Sequence, residues 1–384
     1  MATSDTTNSE RSAIFNRLDE IFSGPATGSS IFDADDGAYY QPTTAGQISQ
    51  AKAISASTSD KGYRRLMAHS NVTSYSKLGN LHSCPRLYEL EMIKSAVPAL
   101  ASATDEKFQQ NLDFAFGHSV GSGIQTFAAT GSLVAAQLAG FLAWKAPYDA
   151  EKVDKRGTPA GKSLAWAMYA IEKFAFFYAN ELGDWEILTL PDGKVAVELA
   201  FAVDTQNGYY HFGHIDAVLR NKSTGRLAVW EGKTTGLETV SDATYANSYQ
   251  ALGYSVVVDA IAHNLGFDSP DYEVLYVVYS SKSREYQLLP FTKSKTQRAE
   301  WLQDLLLDHA LLTQYADLSF FPKRGENCIN KYGRQCQWFG NCHMQNTSLF
   351  PGVIVPKLED IHGLESVDFS FTLDQLVAAQ QIRA

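Results

Sequence analysis

Asp216 and, fifteen residues later, Glu231-Gly232-Lys233 place two carboxylates and an ammonium in a short stretch of otherwise apolar sequence. The flanks Gly213 to Leu219 and Leu227 to Thr234 read as β-strands joined by a turn at Asn221 to Gly225. Alternation along the second strand puts Glu231 and Lys233 on one face and Trp230 and Gly232 on the other. A hairpin brings Asp216 beside the first face. Such a group can hold a hard divalent cation and act on a phosphodiester. The same three residues can also form a cross-strand salt bridge with no chemistry. Their spacing alone leaves both readings open.

Four cysteines form a second candidate group. Cys328, Cys336 and Cys342 are spaced Cys-x7-Cys-x5-Cys, and Cys84 lies far upstream in His82-Ser83-Cys84-Pro85-Arg86-Leu87-Tyr88. Thiolates suit zinc or an iron–sulphur cluster. The paired Cys-x2-4-Cys knuckles of most structural zinc sites are absent, and four unrelated buried thiols are the alternative. A shared centre would clip together distant parts of the chain, with a large entropic effect on the unfolded state.

Other residues could join the first group. His118 follows Gly117 in an apolar helix, with the small residues Gly121 and Gly123 behind it to admit a close neighbour. A histidine there is either a ligand or a satisfied core residue. Gln250 and Tyr254 share one face of the helix after the Glu-x-Lys strand. Glu198 lies on the strand before Asp216, as a carboxylate behind the ligands at most. His214 is expected to point to the opposite face.

These groups need a frame. The chain has 384 residues, enough for one large domain or two ordinary ones, and a net charge of −10. That charge disfavours a broad nucleic-acid surface but not a local basic groove, such as Lys323, Arg324, Lys331 and Arg334 beside the cysteines. No apolar run is long enough to span a membrane, and the first residues lack a secretory signal, so a cytoplasmic location is expected. Residues 1–75 read as a weakly ordered arm, with a short helix around Ile14 to Phe22. Residues 76–342 read as one domain, and 343–384 as a tail with a short helix behind a Thr372-x-x-Gln375 capping box. Helices are expected over Leu87–Val97, Phe108–Ala129, Leu133–Trp144, Ser163–Leu182, Thr244–Asn264 and Lys293–Tyr315. Strands are expected over Glu186–Leu190, Val195–Val203, Tyr209–Arg220, Arg226–Thr235, Glu273–Ser280 and Glu285–Pro290. Asp149 to Gly161 reads as a loop or flap. The order is that of an α/β fold.

Taken together, these residues resemble the PD-(D/E)xK nuclease superfamily, and within it the RecB-like, AddB-like branch that carries an iron–sulphur cluster. Cys84-Pro85-Arg86 with Tyr88, Gly117-His118, Gly213-His214-Ile215-Asp216, Glu231-Gly232-Lys233-Thr234, Gln250-x3-Tyr254 and Cys336-x5-Cys342 match its motifs in order. One departure is the seven-residue gap between Cys328 and Cys336, where the family usually has two. The resemblance implies a restriction-endonuclease-like core, a mixed sheet flanked by helices. An N-terminal helical part and a C-terminal segment would be tied together by the four-cysteine centre. It implies Mg²⁺ or Mn²⁺ on Asp216, Glu231, His118 and the carbonyl of Gly232. It further implies a 4Fe-4S cluster, or zinc as the alternative, on Cys84, Cys328, Cys336 and Cys342. Lys233 would orient the attacking water or stabilise developing charge. Gln250 and Tyr254, with Arg86, Lys331 and Arg334, would contact substrate. The implied activity is a stand-alone, metal-dependent DNA exonuclease of phage or prokaryotic type. It would act on single strands or ends in replication, recombination or repair, with recombination or replication proteins as possible partners. A structure-specific endonuclease and a non-catalytic DNA-end-binding scaffold are the alternatives.

Overall fold

The computed structural model describes residues 43–57, 71–100, 111–264, 272–318, 320–329, 335–336, 338–339, 342 and 367–381. The helix expected around Ile14 to Phe22 lies outside them, as do Lys331 and Arg334.

Apolar alternation and β-branched content make the centre of the chain a sheet. Its strands are β1 (Val72–Thr73), β4 (Trp185–Ile187), β5 (Val197–Asp204), β6 (Tyr210–Asn221), β7 (Leu227–Thr235), β8 (Tyr272–Ser280), β9 (Tyr286–Lys293) and β10 (Phe369–Thr372). The small hairpin of β2 (Lys152–Val153) and β3 (Pro159–Lys162) stands apart, where a flap was expected. The main order is β10-β5-β6-β7-β8-β9, with β1 and β4 also on β6. Strands β5, β6 and β7 are antiparallel neighbours, and β8 runs parallel to β7. The β6–β7 turn is set by Asn221, whose Oδ1 accepts the amides of Ser223 and Thr224 at 3.1 and 3.0 Å. Gly225 takes the left-handed conformation that closes it (φ 72°).

Helices cover both faces. One layer contains α4 (Leu112–Thr130), α5 (Leu133–Ala143) and α6 (Leu164–Glu181), with α1 (Ala45–Ser57) against α5. The other contains α7 (Tyr249–Asn264), α8 (Lys295–Asp317) and α9 (Leu373–Gln381). Helices α2 (Tyr75–Ser83) and α3 (Pro85–Leu100) lead in from β1. Two apolar cores result. Trp230 stacks on Phe174 of α6 at 5.5 Å on one side, while Val229 packs with the α7 and α8 residues on the other. A mixed sheet between helical layers is the expected α/β fold.

Two small residues set how tightly the first layer packs. A Cβ on Gly123 or Gly140 would come within 2.3 or 2.4 Å of Ile171 Cδ1, so α4, α5 and α6 close around that one side chain. Gly121 meets nothing within 4 Å, so Gly123 alone fills the role expected of the pair.

The C-terminal segment joins the sheet. Strand β10 pairs in parallel with β5, Phe369 opposite Phe201, and Thr372 and Gln375 form the expected reciprocal cap of α9. No helix among the described residues is long and apolar enough to cross a membrane.

Candidate active site

Regular pairing is interrupted at one row of the sheet. Val197, Ala217 and Trp230 pair across β5, β6 and β7. The next residue on each strand is Glu198, Asp216 and Glu231, and none of these joins the regular β5–β6 or β6–β7 pairing. Glu198 sits at φ 50°, a costly conformation for a residue with a side chain. Asp216 Oδ2 accepts the Gly232 amide at 2.7 Å. Three carboxylates therefore occupy one row of three neighbouring strands, where β5–β6 pairing skips a step and β6–β7 pairing ends.

Each side chain is held by a different element. Glu231 and Lys233 point to the α7 face, and Lys233 Nζ donates to Glu231 Oε1 and, at 3.4 Å, to Gln250 Oε1. Gln250 Nε2 donates to the Tyr254 hydroxyl at 2.7 Å, so the expected helix face is present and tied to the lysine. On the opposite side α4 lies along β7. A Cβ on Gly117 would stand 3.4 Å from Thr234 Oγ1, and one on Gly232 would stand 3.4 Å from Ile124 Cδ1. That contact carries His118 to the end of the sheet. Two turns on, Gln125 Nε2 donates to Glu198 Oε1 at 2.7 Å.

The electrostatics are those of crowded, desolvated acids. Burial, reinforced by the Asp216 charge, pushes the Glu198 and Glu231 carboxyls up to about 8. Burial also raises Asp216, against the pull of Lys233 and the Gly232 amide. Burial alone would lower Lys233, but the charges of Glu231 and Asp216 carry it above its ordinary range. Burial lowers His118 and keeps its imidazole neutral, the form that ligates metals. Glu231 is fully buried and its Oε2 has no hydrogen-bond partner. A buried acceptor without a donor, in a set of three acids and a neutral imidazole, fits a divalent cation. Among the described residues no three His, Cys, Asp or Glu side chains already stand close enough to hold a metal, so a cation would have to draw them inward.

Residues 72–343 match the PD-(D/E)XK nuclease superfamily. The chain belongs to this superfamily. Members have a nuclease fold, usually use Mg²⁺ or Mn²⁺, and take DNA as their ordinary ligand. No curated protein matches closely enough to name as a relative. The matched span of this PD-(D/E)XK chain includes Asp216, Glu231 and Lys233.

The cysteines meet elsewhere. Cys84, Cys328, Cys336 and Cys342 line one pocket with Leu87, Leu90, Trp338 and Phe339. All four are free thiols, and a formed metal centre is not shown. Cys84 lies between α2 and α3, where Pro85 starts the new helix. The long Cys328–Cys336 gap closes on itself: Ile329 bridges Gln335, and the Cys336 amide donates to the Cys328 carbonyl at 2.7 Å. That backbone hydrogen bond brings Cys336 back beside Cys328 across the long gap. Trp338 Nε1 donates to Glu91 on α3 at 2.5 Å.

Arg86 departs from its expected place. Its guanidinium is 1% exposed, is paired with Glu89 at 2.5 Å, and faces the interior beside the cysteine pocket rather than a substrate. Glu198 was underrated in the sequence. Strand alternation gives it no special place, because the positive φ that turns it into the row is a tertiary feature.

Proposed function

We propose that the chain is a metal-dependent DNA exonuclease acting on single strands or ends. The observation that supports it most is the row of Glu198, Asp216 and Glu231 with Lys233 bound to Glu231. Asp216, Glu231, the Gly232 carbonyl and His118 would hold the cation. When bound, Mg²⁺ or Mn²⁺ would lower the pKa of a water and polarise the scissile phosphate. The chain supplies the rest. Lys233 keeps its proton at neutral pH and offers a compact cation to the developing phosphorane charge. Gln250 fixes the ammonium from one side and is itself fixed by the Tyr254 hydroxyl. Glu198, held by Gln125, positions the neighbouring carboxylates.

The four thiols are proposed to hold a 4Fe-4S cluster. The donor set is entirely sulphur, it is gathered around one pocket, and the irregular spacing is reconciled by the Ile329–Gln335 bridge. The cluster would be structural, joining the α2–α3 corner to the segment after α8.

Digestion of end-labelled single-stranded DNA with Mn²⁺ or Mg²⁺, using anaerobically purified protein and its Lys233→Ala variant, tests the catalytic reading. Activity in wild type only is expected, with closed circular DNA left intact. Cleavage of the circle would favour an endonuclease. DNA binding with no cleavage by wild type would favour a scaffold, and equal cleavage by both proteins would misplace the site.

A further inference from the structure

The β2–β3 hairpin has no part in the site described so far, yet both its attachments lead there. Lys152 and Lys162, opposite each other in the hairpin, both donate to the Asp113 carboxylate in the first turn of α4, Lys162 at 2.7 Å. Asp113 precedes His118 by five residues on the same helix. On the other side the hairpin lies on the end of β8. A Cβ on Gly161 would stand 2.4 Å from the Ser281 carbonyl oxygen, an approach only glycine permits, and Gly161 also has φ 65°. The Ser281 amide donates to Thr235 at 2.9 Å, two residues beyond Lys233.

Its tip is organised and basic. Asp154 Oδ1 accepts the amides of Arg156 and Thr158 at 2.8 and 2.9 Å, and the Asp154 amide donates to the Thr158 carbonyl at 2.8 Å. This leaves Lys155 and Arg156 exposed at the turn. In a chain of net charge −10, residues 152–162 carry four cations and one acid. Beside the hairpin's anchor stands Phe114, 63% exposed at the start of α4, with its ring 6.5 Å from that of His118. An aromatic left in water beside the anchor of a basic hairpin is the composition of a single-strand path, where rings stack bases and cations follow phosphates.

We infer that Phe114 and the β2–β3 hairpin guide a single strand into the carboxylate row, Phe114 stacking on a base and Lys155 and Arg156 contacting the backbone. This rests on the nuclease reading and narrows its substrate to an unpaired strand. Along a duplex the base faces are stacked on one another, so only an unpaired strand offers Phe114 faces along its length. Asp113 is the positioning residue that fixes the hairpin to the helix bearing His118.

The test uses the full chain in chelator, so that binding is read without cleavage. Fluorescent oligonucleotides of one length are titrated as a normal single strand, an abasic single strand and a blunt duplex. Phe114→Ala is expected to weaken binding of the normal strand about 5- to 100-fold. It should leave the abasic strand and the duplex unaffected. The double variant Lys155→Ala/Arg156→Ala should weaken normal and abasic strands alike and reduce the salt slope of log K by about 1.4, from two phosphates at about 0.7 each. An equal effect of Phe114→Ala on abasic and normal strands would overturn the stacking role. An unchanged salt slope in the double variant would overturn the backbone role. No DNA binding by wild type would overturn both. Loss of cleavage in wild type with these binding patterns intact would instead remove only the nuclease reading.

Discussion

The carboxylate row and the cysteine pocket are built in opposite ways. The row comes from adjacent positions on three paired strands, so the sheet that defines the fold also fixes the spacing of the acids. The pocket joins a helix junction near residue 84 to a segment more than two hundred residues later, and among the described residues a single 3-10 turn, an isolated bridge and short turns shape its second half. In the proposed function, chemistry would sit on the rigid element and cross-linking on the irregular one. Damage to each should therefore appear in a different measurement.

The largest separation is expected from Lys233→Ala. Activity should fall about 10²–10³-fold, the cost of one transition-state donor, while the thermal midpoint stays within a few degrees of wild type. Cys336→Ser should do the reverse, losing bound iron and lowering the midpoint by about 5–10 °C. Full stability with full iron content in that variant would remove the structural cluster and the contrast with it. His118→Ala should reduce cleavage at limiting Mn²⁺ and recover part of it at high Mn²⁺, because a lost ligand can be offset by mass action.

Glu198→Gln sharpens the comparison from within the row. Activity or metal affinity should fall about 10–100-fold, the usual effect of losing a partner that positions metal ligands. Its second signature is pH dependence without metal. The folded Glu198 carboxyl titrates at about 8 against an ordinary 4.5. The folded state therefore keeps a proton that the unfolded chain releases. That stability is fully present below pH 4.5 and is lost as the pH rises through about 8. Denaturant unfolding in chelator should show a smaller decline between pH 5 and 8 in the variant than in wild type. Identical slopes would mean that Glu198 does not carry this proton.

Much of this was legible in the chain. Alternation located β5 to β9 within a few residues, and the i, i+4 spacing of Gln250 and Tyr254 became a hydrogen bond. Asp216, Glu231 and Lys233 met because the Asn221 turn fixes the register of β6 on β7. What escaped depended on long-range contacts. The turn of Glu198 into the row needs a positive φ that no local pattern announces. The pairing of β10 with β5 joins residues about 168 apart, and four residues of strand propensity do not reveal a partner. The flap became a hairpin because Asp113, forty residues upstream, binds both its strands. Arg86 was a readable miss, since Glu89 stands three residues on, the spacing of a helical ion pair.

Asp113, Phe114, His118 and Gln125 all ride on α4. At 1.5 Å per residue, the hairpin anchor and the partner of Glu198 stand about 18 Å apart along that helix. Loops change length readily during evolution, but a helix does not. One residue inserted between Phe114 and Gln125 would swing one end about 100° away from the other. The spacing from the proposed strand guide to the residues proposed to hold and position the cation is thus metered by helical pitch. Insertions at the hairpin tip could alter which strands enter, and none of them could change how far in the cut falls.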